Sequence, residues 1–108
     1  MTVEDAAKEY ESEMMKRLPS MSLDLALCGM GPDGHTCSLF PGHPLLDEKT
    51  ALIAPITDSP KPPPSRITMT FPLLAKSRTI VFVVTGKKEK FVIHSRLLTP
   101  LPHLINDF

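Results

Sequence analysis

One aspartate and one histidine sit two residues apart inside a glycine-rich turn. Residues 29–41 read Gly-Met-Gly-Pro-Asp-Gly-His-Thr-Cys-Ser-Leu-Phe-Pro, directly after the apolar run Leu23-Asp24-Leu25-Ala26-Leu27-Cys28. Histidine is the side chain whose ordinary titration lies nearest neutral pH, so His35 is the candidate for moving protons. Asp33 is close enough in a tight turn to orient the imidazole or to meet a substrate hydroxyl. Gly29, Gly31 and Gly34 let the backbone turn sharply and approach a ligand. Their N–H groups are candidate donors to the oxyanion of a tetrahedral intermediate. The chemistry implied is attack of water on a carbonyl, with His35 as the base. A plainer reading stands beside it, since Pro-Asp-Gly favours a turn for purely local reasons.

Other chemistries fit less well. The glycines satisfy Gly-x-Gly-x-x-Gly, the pattern of a dinucleotide turn. A carboxylate inside it would repel a pyrophosphate, however, and no acidic residue ends a neighbouring strand at the usual distance. Cys28, His35, Cys37 and His43 match no familiar zinc spacing, so no metal is expected. Arg66 follows a proline-rich loop, and a guanidinium suits a phosphate because it donates two parallel hydrogen bonds; the alternative is a solvated strand-end charge. Lys61-Pro62-Pro63-Pro64 has the composition of a polyproline ligand, and a stiff loop is the reading preferred here.

The elements that must position these groups alternate in type. Thr2 can cap a helix over 3–17, with Asp5 completing a weak capping box. Ala6, Ala7, Tyr10, Met14 and Leu18 fall on one apolar face. Residues 23–28 read as a buried strand in which Asp24 demands a wet end or a partner. A short helix or turn is expected at 36–40; a helix there would favour an anion at its first N–H groups. Residues 51–56 read as a short strand that Pro55 confines to an edge or strand end. Residues 66–71 alternate polar and apolar, the mark of a half-buried strand. Pro72 opens a short helix to about Lys76. Thr79–Val84 is a β-branched run of the kind parallel sheets bury on both faces. Residues 87–98 are expected to be helical, ended by Pro100 and Pro102. The fold class is therefore α/β, a partial Rossmann-like and mostly parallel sheet with flanking helices.

Composition bounds the rest. The chain of 108 residues fits one domain at most, and 42% hydrophobic with 22% charged residues is ordinary globular composition. Twelve acidic and twelve basic residues cancel, so no bulk charge draws the chain to nucleic acid or an anionic membrane. No apolar run is long enough to span a bilayer, and the acidic start has no signal-like apolar region. Two cysteines read as free thiols of a cytoplasmic protein.

Three blocks also carry a resemblance. The turn at 29–41 with Gly42-His43-Pro44-Leu45-Leu46, then Asp58-Ser59-Pro60-Lys61-Pro62-Pro63-Pro64-Ser65-Arg66-Ile67-Thr68-Met69-Thr70, then Val81-Phe82-Val83-Val84-Thr85-Gly86, resemble 6-phosphogluconolactonases in order and spacing. The likeness covers about residues 3–86, an expected partial lactonase-like domain 1–86 followed by a divergent tail 87–108. The family's domain is roughly twice as long, so the chain resembles an internal piece lacking the first strands and final helix. The resemblance implies hydrolysis of 6-phospho-D-glucono-1,5-lactone to 6-phosphogluconate, in the pentose phosphate pathway, with no metal and no organic cofactor. It implies His35 and Asp33 as catalytic residues, and Gly29, Gly31, Gly34 and Arg66 at the substrate. The family's phosphate lysine falls here on Glu89, and Lys88 or Lys90 could replace it by a shift of one residue. Two rivals are carried: a related glucosamine-6-phosphate deaminase, and a non-catalytic isoform that only packs with a partner chain.

Overall fold

The computed structural model describes residues 1–18, 20, 22–85 and 90–95. The chain opens on helix α1, Val3–Arg17. Its start is fixed by a reciprocal pair: the Asp5 N–H donates to Thr2 Oγ1 (3.1 Å), and the Thr2 N–H donates to Asp5 Oδ2 (3.3 Å). Ala7 is buried on its inner face, with Met14 packed beside it, whereas Tyr10 is about half exposed and departs from the expected apolar stripe.

Strand β1, Leu25–Gly29, follows, and its parallel partner is β4, Thr79–Thr85, with Leu27 opposite Val81 and Gly29 opposite Val83. Between them come a 3-10 turn at Pro44–Asp47, strands β2 (Ile53–Ile56) and β3 (Arg66–Met69), and helix α2, Phe71–Ala75. Strands β2 and β3 form an antiparallel pair, in which Pro55 lies opposite Ile67 and can sit without an N–H because the pair has open edges. Thr70 caps α2, and Pro72 stands in its first turn as expected. Strand β5, Lys90–Ser95, runs antiparallel to β4, so the larger sheet is ordered β1-β4-β5.

That last strand corrects the helix expected over 87–98. Residues 90–95 read Lys-Phe-Val-Ile-His-Ser, and their central Val-Ile pair suits a strand where a neighbouring edge offers a ladder. Lys88, Glu89 and the end of the expected tail, 96–108, lie outside the described residues.

The core sits on one face of the larger sheet. Ala26 and Cys28 of β1 and Ile80 and Phe82 of β4 pack with Leu39, Leu46, Phe71 and Leu74. A second cluster, Ala7, Leu52, Ile53 and Leu73, joins α1 and α2 to β2. Among the described residues the other face is bare: Leu25, Leu27 and Val83 are 52%, 68% and 48% exposed. The two-faced burial expected of β4 is therefore not found, because the described elements cover only the side carrying Ile80 and Phe82. Asp24 takes the wet option, exposed at the mouth of β1 with Arg78 4.0 Å away.

Candidate active site

Strand β1 ends at Gly29, and the chain turns back on itself at once. The Gly31 N–H donates to the His35 carbonyl (2.8 Å), and the Gly34 N–H donates to the Gly31 carbonyl (2.9 Å). Gly34 holds φ at 88°, a conformation that glycine adopts freely. Thr36 then donates its hydroxyl to the Gly29 carbonyl (2.7 Å) and closes the turn onto its own strand. The expected helix option at 36–40 is replaced by a tight turn: Thr36 bridges to Leu39, and Cys37 sits at φ 52°. Residues 36–40 therefore present no helix N-terminus to the loop.

This turn brings Asp33 and His35 together. His35 Nδ1 lies 2.5 Å from Asp33 Oδ1, and the His35 N–H also donates to that oxygen (3.3 Å). The His35 ring stacks on Phe40, with centroids 4.7 Å apart, and Phe40 itself is buried. Partial burial pushes the Asp33 carboxyl up, but the hydrogen bonds from the His35 side chain and backbone, with its charge, outweigh that push. The carboxyl ends below its usual value. An ionised Asp33 holds a proton on Nδ1 and leaves Nε2 as the basic nitrogen; among the described residues, Nε2 has no hydrogen-bond partner.

The glycines divide by function. The N–H groups of Gly31 and Gly34 are already used on carbonyls of the turn, so in this conformation they do not point to a substrate oxygen. Gly31 is needed for room: a Cβ there would fall 2.2 Å from His35 Cε1 and 2.3 Å from Nδ1. Gly29 carries no such constraint, with nothing within 4 Å of a Cβ.

Arg66, at the start of β3, is close to the turn but largely engaged. Its Nε donates to the Pro63 carbonyl (2.9 Å), and Nη2 donates to the carbonyls of Lys61 (2.9 Å) and Pro62 (3.0 Å). Its guanidinium carbon lies 5.6 Å from the Phe40 ring centroid, so one buried ring supports both His35 and Arg66. Only Nη1 is left to meet an anion. The folded proline loop also delivers a cation that sequence reasoning missed: Lys61 Nζ lies 3.9 Å from Asp33 Oδ1. Its signal was its place in Lys61-Pro62-Pro63-Pro64, a stiff segment that fixes where its one long side chain can reach. Lys90 stands opposite Thr85 at the start of β5, and Lys88 is outside the described residues.

The four residues weighed as a metal set do not converge. His35 faces Asp33, while His43 faces Asp58 (2.8 Å). Cys28 and Cys37 meet each other under the turn: the hydrogen bond from Cys37 draws the Cys28 thiol down to about 7, with burial opposing and Thr36 assisting. The same hydrogen bond, then burial and the Cys28 charge, push Cys37 up. Among the described residues no three His, Cys, Asp or Glu side chains gather as a metal site, and no helix is long and apolar enough to cross a membrane.

The frame is thus an α/β sheet with a carboxylate–imidazole pair on the turn at the carboxyl end of a parallel strand, the usual seat of ligands in such sheets. The chain belongs to the family described as glucosamine-6-phosphate isomerases/6-phosphogluconolactonase, whose model matches residues 1–103. The match runs beyond the limit expected near residue 86. The 6-phosphogluconolactonase of Homo sapiens is 46% identical over 109 residues, covering 94% of this chain and 42% of the relative. A probable 6-phosphogluconolactonase of Drosophila melanogaster is 51% identical over 90 residues, covering 82% of this chain and 36% of its own. Among solved structures, the 6-phosphogluconolactonase of Trypanosoma brucei matches with a TM-score of 0.65 and 26% identity over 76% of this chain and 36% of that one. That of Trypanosoma cruzi matches in fold, with a TM-score of 0.71 over 96% of this chain and 46% of the other at 24% identity. The chain therefore spans between 36% and 46% of the length of these relatives.

Proposed function

We propose that this chain carries the water-activating part of a 6-phosphogluconolactonase site, which opens 6-phospho-D-glucono-1,5-lactone to 6-phosphogluconate. The observation that carries the reading is the Asp33–His35 pair on the turn after β1. With Nδ1 held by Asp33, Nε2 takes a proton from water as the water oxygen attacks the lactone carbonyl. Asp33 stabilises the imidazolium that forms. The ring oxygen then leaves as the carbonyl is restored, and Nε2–H returns the proton to it. The product is the open acid.

Lys61 and the remaining Nη1 of Arg66 are the proposed partners of the substrate's phosphate, with Lys88 or Lys90 as a further cation. Gly31 and Gly34 serve the substrate by keeping the turn narrow beneath the imidazole, and Gly29 serves it through its backbone, whose carbonyl Thr36 ties to the turn. The two cysteines, Cys28 and Cys37, are unlinked, which suits a reducing compartment such as the cytoplasm.

The test is His35→Asn in the full chain, assayed by acid release from the phosphorylated lactone with spontaneous hydrolysis subtracted. Loss of a general base lowers kcat by about 10²–10⁴-fold, while the circular dichroism melt stays cooperative and the chain folded. A variant within threefold of the parent, by rough allowance for assay error, removes His35 from the mechanism. Ammonia release from glucosamine 6-phosphate, with no acid release from the lactone, would assign the chain to the other branch of the family.

A further inference from the structure

The proline loop, residues 57–65, joins β2 to β3 and carries Lys61 to Asp33. Most of its bonds are internal or reach only Arg66. The Ser59 N–H donates to the Pro64 carbonyl (3.1 Å), and Ser59 Oγ donates to the Lys61 carbonyl (2.8 Å). Besides the Arg66 side chain of β3, which donates to the carbonyls of Lys61, Pro62 and Pro63, two side-chain links tie this loop to the rest of the molecule among the described residues. One is Lys61 to Asp33; the other is Asp58 to His43.

His43 is built as a two-ended link. Its Nδ1 accepts from the Leu45 N–H (3.0 Å), so that nitrogen carries no hydrogen. The hydrogen is on Nε2, which donates to Asp58 Oδ1 (2.8 Å). The ring is four-fifths buried, and its backbone is anchored on both sides. The His43 N–H donates to the Phe40 carbonyl (3.0 Å), and its carbonyl accepts from the Leu46 N–H (3.1 Å). Phe40 is the residue on which His35 rests. The segment that supports the base and the loop that delivers the lysine are therefore pinned together at His43.

We propose that His43, through Asp58, is a positioning residue that holds the proline loop so that Lys61 stays beside Asp33 and the phosphate end of the substrate. The inference rests on the lactonase reading of His35 and Lys61. It adds a residue that touches neither substrate nor reacting atoms. Without the link, the loop would be held only by Lys61 at Asp33 and by Arg66, which leans on Phe40, and a bound phosphate would have to order its Asp58 end as it arrives. That cost falls on binding more than on the chemical step.

The experiment compares Asp58→Ala, Asp58→Asn and His43→Phe in the full chain, each also combined with Lys61→Ala. Asn keeps an oxygen that accepts from Nε2–H, so Asp58→Asn is the rescue variant. Asp58→Ala and His43→Phe are expected to raise KM for the phosphorylated lactone about three- to tenfold with kcat within about twofold, while Asp58→Asn stays near the parent. In the Lys61→Ala background the same changes should have no further effect, because what they position is gone. Side-chain NMR gives a readout apart from turnover: Asp58→Ala should move the Asp33 and His35 resonances in the direction that Lys61→Ala moves them. Losses that add to that of Lys61→Ala, or unmoved Asp33 and His35 resonances, overturn the proposal. If the parent turns over no lactone, the functional reading falls, and the resonance comparison alone decides the role of His43.

Discussion

Gly31→Ala is the sharpest probe of the site, because the structure states what it does. The new Cβ would stand 2.2 Å from His35 Cε1, 2.3 Å from Nδ1 and 2.9 Å from Asp33 Oδ1. Carbon atoms rest about 3.5 Å apart, so the ring edge has to withdraw by about 1 Å. It cannot do so freely, since Nδ1 is bound to Asp33 and the ring lies against Phe40. A catalytic group misplaced by about 1 Å loses about 10²-fold in rate, or about 2.7 kcal/mol of transition-state stabilisation. The expected result is a kcat/KM for the phosphorylated lactone lower by about 10²-fold, with a thermal melt that stays cooperative at a lower midpoint. Gly29→Ala is the internal comparison: nothing lies within 4 Å of its Cβ, so its loss should be at least about tenfold smaller. The assay is acid release in a pH-stat with the uncatalysed rate subtracted, beside NMR of the His35 ring. Full activity in Gly31→Ala with the ring displaced would show that the position of His35 does not set the rate.

Three further outcomes follow from other contacts. Arg66→Ala should raise KM for the phosphorylated lactone by about tenfold or more and leave unphosphorylated gluconolactone little changed; equal losses on both would make Arg66 a brace for the proline loop alone. Both Asp33 and Asp58 have carboxyls held below their ordinary value in the folded chain, so their contribution to stability is full above the unfolded pKa near 4 and is lost as pH falls through the lower folded value. Urea midpoints should therefore drop below about pH 4, and His35→Asn should flatten part of that drop. Thr2→Ala removes one half of the capping box and should cost about 0.5–2 kcal/mol, read from chemical denaturation.

Much of this was legible because the signals are local. Thr2 and Asp5 are three residues apart and announce α1; Pro72 announces α2; the alternation from Arg66 announces β3. Asp33 and His35 meet because they stand only two positions apart in a turn that glycine permits. The illegible parts depend on partners distant in the chain. Lys61 reaches Asp33 only after β2 and β3 pair and close the proline loop. The glycine N–H groups looked available in sequence, and only the folded turn shows Gly31 and Gly34 spending theirs on carbonyls. The spacing over 90–95 also permits a helix, and the edge of β4 decides for a strand. Tyr10 fits a helical stripe by spacing, yet the packing partners of α1 stop short of it.

Among the described residues one face of the larger sheet is bare, and association through that face would be temperature-sensitive in the test tube. Leu25, Leu27 and Val83 present apolar surface to water on one side, and β1 is the terminal strand of its sheet. Contacts between copies through such a face draw on apolar hydration, which has almost no enthalpy near room temperature and a large heat capacity. Their strength fades on cooling and grows on warming, and excluded salts such as sulfate strengthen them. A concentrated solution would scatter light when warm and clear on ice, the reverse of ordinary solubility. Handling in the cold at low sulfate is what this sheet calls for.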